Sequence, residues 1–149
     1  MGVKHFEIHE IEAEAARRVA ALDGSAFGGT WTESPEALTA DVGSALQSHL
    51  SFSATVEDAP VVAQDFQSGT VTVNAELRVI FLHRIRPGAR RDDARLASQA
   101  AREVARAISG ETWDSVDARV TRLYRPGAAV DAGFLPVEVR FQVLFDCFL

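Results

Sequence analysis

Four sets of polar residues in this 149-residue chain have types and spacings that could do chemistry. His5 and His9 stand four apart with Glu12 nearby, a spacing that lets two imidazoles on one helix face share a metal ion. A solvated first helical turn is the plainer reading of the same residues. His49 and His83 fall in strand or strand-end contexts, where a packed or edge histidine is commoner than a catalyst. Neither has a serine, cysteine or carboxylate pair close in sequence that would build a triad. Arg84, Arg86, Arg90 and Arg91 share one Pro87-Gly88 connection, and guanidinium forks so grouped suit phosphate or a carboxylate-rich protein surface. Glu76, Arg78, Glu138 and Arg140 take alternate positions in two long apolar-polar runs. They form an ion-pair ladder if those runs pair, or set the register of an interface between subunits if they line one. A ladder on the surface contributes only about 0–1 kcal/mol per pair.

Other signatures are missing from the sequence. It has no phosphate-binding glycine loop, no dinucleotide motif and no metal-binding cysteine pair. Gly24-Ser25-Ala26-Phe27-Gly28 is not a nucleophile elbow, because its serine is misplaced and no strand precedes it. No catalytic, cofactor or metal residue is assigned.

The elements that must position these residues centre on 71–85. Val71, Val73, Ala75, Leu77, Val79, Phe81 and His83 alternate with Thr72, Asn74, Glu76 and Arg78, the period of a strand with one buried face. At ~3.3 Å per residue the run spans roughly 50 Å, long enough to bend or to continue past the sheet as an arm. Ile80 and Leu82 add apolar groups to its polar face near the far end. Residues 137–149 repeat the pattern with Val137, Val139, Phe141, Val143, Phe145, Cys147 and Leu149. Cys147, the only cysteine, reads as a small buried hydrophobe.

Between the two runs, Asp92 or Asp93 caps a helix reaching Ser109, with Leu96, Ala100, Val104 and Ile108 on one face and Gly110 as its stop. Residues 6–22 form another helix, ended by Asp23-Gly24. The loop 24–32 takes its freedom from Gly28-Gly29 and its anchors from Phe27 and Trp31. Ser34-Pro35-Glu36 opens a further helix carrying Leu38, Val42, Ala45 and Leu46. Residues 49–56 are a strand broken by Asp58-Ala59-Pro60. Residues 113–124 are a strand with Val116, Ala118 and Val120 inward and a bulge near 121–123. The predicted fold is α+β: one domain over 1–149, a mainly antiparallel four-stranded sheet of β-β-α-β-β order, a helix across one face and extra helical structure at the N-terminus.

Composition agrees with one globular domain, being 47% apolar with no run long enough to span a membrane. The N-terminus lacks an apolar signal core, so secretion is not expected. Residues 1–60 hold ten acids against Lys4, Arg17 and Arg18, an acidic half unsuited to gripping nucleic acid. No recognition element for specific DNA binding is visible.

The stretches AELRVIFLHR (75–84), DDARLASQAAREVARAI (92–108) and VEVRFQVLFDCFL (137–149) together resemble the tail terminator family of long-tailed bacteriophages and gene transfer agents. The resemblance covers roughly residues 35–149 in layout and strand texture, and residues 1–34 depart from it. It implies a structural virion protein, assembled in the bacterial cytoplasm, that forms a hexameric ring. Such a ring caps the tail tube protein, ends tail polymerisation and offers a surface to a head-completion protein, while DNA passes through its lumen without sequence-specific binding. It implies no enzyme activity, no cofactor and no membrane. Another neck or head-closure protein is the alternative within that class. Outside it stands a small α+β enzyme or ligand-binding domain, which a deep pocket beside His49 or His83 would favour.

Overall fold

The computed structural model describes residues 3–34, 48–110, 112–127 and 133–149. The elements run α1 (Ile8–Ala20), β1 (Thr32–Glu33), β2 (Ser51–Asp58), β3 (Val61–Asp65), β4 (Thr70–Arg84), α2 (Arg90–Ala105), β5 (Asp117–Pro126) and β6 (Phe134–Phe148). They make an α+β fold whose six strands share one mixed sheet in the order β1-β2-β4-β6-β5, with β3 also paired to β4.

The centre of the sheet is the pair of long alternating runs. β4 and β6 pair antiparallel without a register break, from Thr70 opposite Phe148 to Arg84 opposite Phe134. Alternation sends Val71, Val73, Ala75, Leu77, Val79, Phe81 and His83 to one face, where Leu135 to Phe145 of β6 join them at odd positions; all are buried. Both helices add to that same core, α1 through Ile11, Ala15 and Val19, α2 through Ala97, Ala100, Ala101 and Val104, and the π-helical turn Arg106–Gly110 that follows α2 adds Ile108. The alanines let α2 lie close to the strands, and Val104 and Ile108 each contribute about 1.5–3 kcal/mol of burial.

The structure corrects several sequence expectations. Among the described residues the sheet has six strands rather than four. After the kink at Ala59-Pro60 the chain resumes as β3 on the same edge of β4 that β2 occupies, because β4 is long enough to pair with both. A two-residue parallel strand, β1, lies outside β2. The helix expected over 6–22 spans Ile8–Ala20, and His5 lies ahead of it, bridged to Asp146 and stacked on Phe148 at 4.1 Å. His5 and His9 therefore do not share a helix face. Leu96 is half-buried at a cavity rim instead of in the packed stripe. Neither Asp92 nor Asp93 caps α2: its N-cap is Ala89, with no side-chain hydrogen bond, and both aspartates sit in the first turn. Val120 pairs with Phe141 yet is 38% exposed, since β5 is the last strand of the sheet. Cys147 is half-buried and Leu149 exposed, so the apolar face of β6 ends at Phe145. The helix expected from Ser34 onward lies outside the described residues.

Two contacts fix the N-terminal half. Arg18 is held by Glu14 one turn earlier at 3.1 Å, donates to the carbonyls of Ala107 and Thr112, and lies 4.8 Å over the Trp113 ring. Trp31 anchors the glycine loop, packing edge-on against Phe27, Phe52 and Phe81. The β3–β4 hairpin turns through Gly69, whose φ of 68° a side chain would strain. Among the described residues no helix is long and apolar enough to cross a membrane.

Candidate functional site

The sheet face opposite the helices carries the ladder. Arg78 of β4 stands directly opposite Arg140 of β6, and Arg122 of β5 is in register with Arg140 on the other side. Three like charges in a row across adjacent strands repel. Three glutamates answer them. Arg140 meets Glu76 at 2.6 Å, Glu138 at 2.8 Å and Glu57 at 3.1 Å. Arg78 meets Glu57 at 3.1 Å and Glu138 at 3.9 Å, and Arg122 reaches Glu138 at 3.4 Å.

The network is partly sheltered. Glu138 is 6% exposed, and Arg140 keeps a buried Nε without a hydrogen-bond partner among the described residues. Burial works against the charge on Arg140. Its hydrogen bond to Glu138 and the nearby charges of Glu138, Glu57 and Glu76 outweigh that and raise its pKa. Just along this face Ile80 and Leu82 are buried, with Phe134 packed against them. Glu76, Arg78, Glu138 and Arg140 are thus brought together as anticipated. Glu57 and Arg122 were missed. Glu57 is the next-to-last residue of β2, between the alternation that ends at Val56 and the Asp58-Ala59-Pro60 break, so no pattern in the sequence marks its face.

The arginine connection is organised differently. Arg86 forks onto Asp93, with Nη2 at 2.9 Å, and its own backbone N–H donates to the same carboxylate at 2.7 Å. The Arg86 guanidinium bond holds the Asp93 carboxyl below its ordinary pKa, although burial opposes the charge. This pair closes the Pro87-Gly88 turn onto α2. Arg84 is exposed at the end of β4, and Arg90 and Arg91 are exposed at the start of α2. The four arginines do not present four free guanidinium groups, because Arg86 is spent on Asp93.

Beside this turn lie His83, in β4, and His49, which sits in a turn ahead of β2 and not in the strand expected from residue 49; their rings are 4.6 Å apart and edge-to-face. The Arg84 N–H donates to His49 Nδ1 at 3.0 Å, so that nitrogen carries no proton and Nε2–H donates to the Phe27 carbonyl at 2.6 Å. His83 Nδ1 donates to the Arg84 carbonyl at 2.9 Å, leaving a buried Nε2 lone pair without a hydrogen-bond partner among the described residues. Burial lowers both histidine pKa values. The glycine loop has a packing reason here: a Cβ on Gly29 would stand 2.7 Å from the His49 ring. These groups line a cavity of about 280 Å³ with Phe27, Gly28, Arg84, Arg86, Asp93 and Leu96.

Among the described residues no group of three or more histidine, cysteine, aspartate or glutamate side chains could hold a metal ion. Compared with known proteins, the chain matches no family model and no curated protein.

Proposed function

We propose that this chain is a structural ring protein of a phage-like particle, placed at the head–tail joint. In this reading it caps the tail tube protein, ends tail growth and presents a face to a head-completion protein, with DNA passing through the ring unread. The observation that carries the reading is a sheet that runs out at both sides into exposed strands, β3 at one edge and β5 at the other. Such edges are hazards for a solitary domain and docking lines for an assembling one. The charged face supports the same reading. Its arginines and glutamates neutralise one another within the chain, which suits a scaffold surface better than a grip on phosphate. The front-half acidity adds a surface that DNA would slide past. Native mass spectrometry tests the proposal. The expected species is a ring of six 16.1 kDa chains, alone or on adding tail tube protein. A strict monomer at tens of micromolar under both conditions overturns it.

A second reading rests on the histidine cavity. A small ligand with a hydrogen-bond donor would find the unpartnered Nε2 of His83 beside Arg84. The cavity falls just below the roughly 300–1,000 Å³ of ordinary ligand pockets. Three of the four ring nitrogens are already held by backbone groups, which makes the pair a latch between the glycine loop and the end of β4.

A further inference from the structure

We propose that copies of this chain join edge to edge, the outer side of β5 in one copy pairing with β3 of the next. The occupant of both edges is thus a second copy of the same chain. The inference rests on the ring reading only in requiring self-association, and it names the surface by which that happens.

The open edges are specific ones. β2 is closed on its outer side: β1 covers Ser51 and Phe52, and the Glu12 carboxylate of α1 accepts the Val56 N–H at 2.7 Å. Past that point nothing among the described residues lies outside β3, and all five of its residues are exposed. At the far side β5 is the terminal strand and is exposed at eight of its ten residues. A row of unpaired N–H and C=O groups is a template for another strand.

Charge decides which edge meets which. β5 carries Arg119, paired with Asp117 at 3.0 Å, and Arg125, in register with Glu138 of β6, while Asp58 ends β2 just ahead of β3 and Asp65 is the last residue of β3. Two β5 edges face to face would set arginine against arginine, unfavourable across a strand pair, whereas β3 carries no cation and ends in Asp65. The complementary match is β5 to β3. That contact uses two different patches, and a contact of that kind closes a ring when its rotation permits.

Strand direction agrees. From β3 to β4 to β6 to β5 every step is antiparallel, so β3 and β5 run in opposite senses. Copies related by rotation about an axis along the strands therefore meet antiparallel, the ladder the sheet already uses and the more stable one. Val61 and Val62 on one edge and Val120 and Leu123 on the other, all exposed, supply apolar pairs at the joint.

Two charge-changed chains test this, Arg119→Glu with Arg125→Glu, and Asp58→Arg with Gln64→Arg. Wild-type protein is expected to assemble in native mass spectrometry, and each variant alone to need at least tenfold higher concentration. An equimolar mixture should restore assembly with the two variants alternating, because each acidic β5 then meets a basic β3. If wild type assembles and the variants assemble equally well, or if folded variants fail to rescue one another, the edge pairing is wrong while the ring reading stands. Wild type that never assembles overturns both. Hydrogen exchange on wild type, dilute against assembled, guards against variants that misfold. Slowed exchange confined to 61–65 and 117–126 is expected, and slowing only elsewhere overturns the pairing.

Discussion

Arg78 and Arg140 face each other across β4 and β6 as a directly opposed pair of like charges. The arrangement holds because Glu57 sits between them, 3.1 Å from each. Arg122 extends the row, and Glu138 touches all three guanidinium groups. The middle of the open face is therefore a set of three cations and three anions spread over four strands, with Glu138 at the most sheltered point.

Glu138→Gln should destabilise the fold by about 2–3 kcal/mol, since it leaves three arginines in register with two carboxylates. For a domain of this size that is a fall in Tm on the order of 5–10 °C. Thermal and urea unfolding would measure it, and a change within about 0.5 kcal/mol would show that solvent screening already carries the load.

Asp93→Asn should cost about 1–3 kcal/mol at neutral pH, because the part-buried Arg86 N–H and its guanidinium lose their carboxylate acceptor. The cost should depend on pH. The folded pKa of Asp93 lies below its ordinary 3.8, so the wild-type advantage is complete above about that pH. It fades as pH falls further, when the unfolded chain takes up the proton first. Urea titrations of both proteins from pH 7 to pH 2.5 read this directly, and a gap that stays constant would refute it.

His83 and His49 predict loss of stability on the acid side of neutrality. Burial depresses both pKa values below the ordinary 6.5, and each ring also faces the charge of Arg84. The unfolded chain therefore binds protons first as pH falls through 6.5, and stability drops by up to about 1.4 kcal/mol per pH unit for each histidine. His83→Phe should flatten the stability–pH curve between pH 7 and 5. An unchanged slope would show that His83 is not the group responsible.

Ala101→Leu should destabilise by about 1–3 kcal/mol. Ala101 is fully buried where α2 meets the sheet, and extra methylenes there must push the helix away. Leu96→Ala, at the cavity rim, should cost less. Comparing the two by chemical denaturation checks where the packed stripe of α2 lies, and a reversed order would mean the rim residue carries the packing.

The sequence by itself determined the two long strands, the buried side of each and the alanine-rich helix across them. Period-two and near-period-four patterns are local, and a face buried along fifteen residues leaves an unmistakable alternation in residues such as Leu77, Val79, Val139 and Phe141. It also brought Glu76, Arg78, Glu138 and Arg140 to one face, because parity alone sorts them. Only the tertiary structure decided that Arg78 opposes Arg140 rather than Glu138, that Glu57 and Arg122 complete the network, and that β3 continues along β4 past Pro60. It alone turned Asp93 from a helix cap into the partner of Arg86 and drew His49 beside His83. Each of these depends on strand register or on groups far apart in the chain, and the free energy of such pairings is set by distances that no local pattern of residues contains.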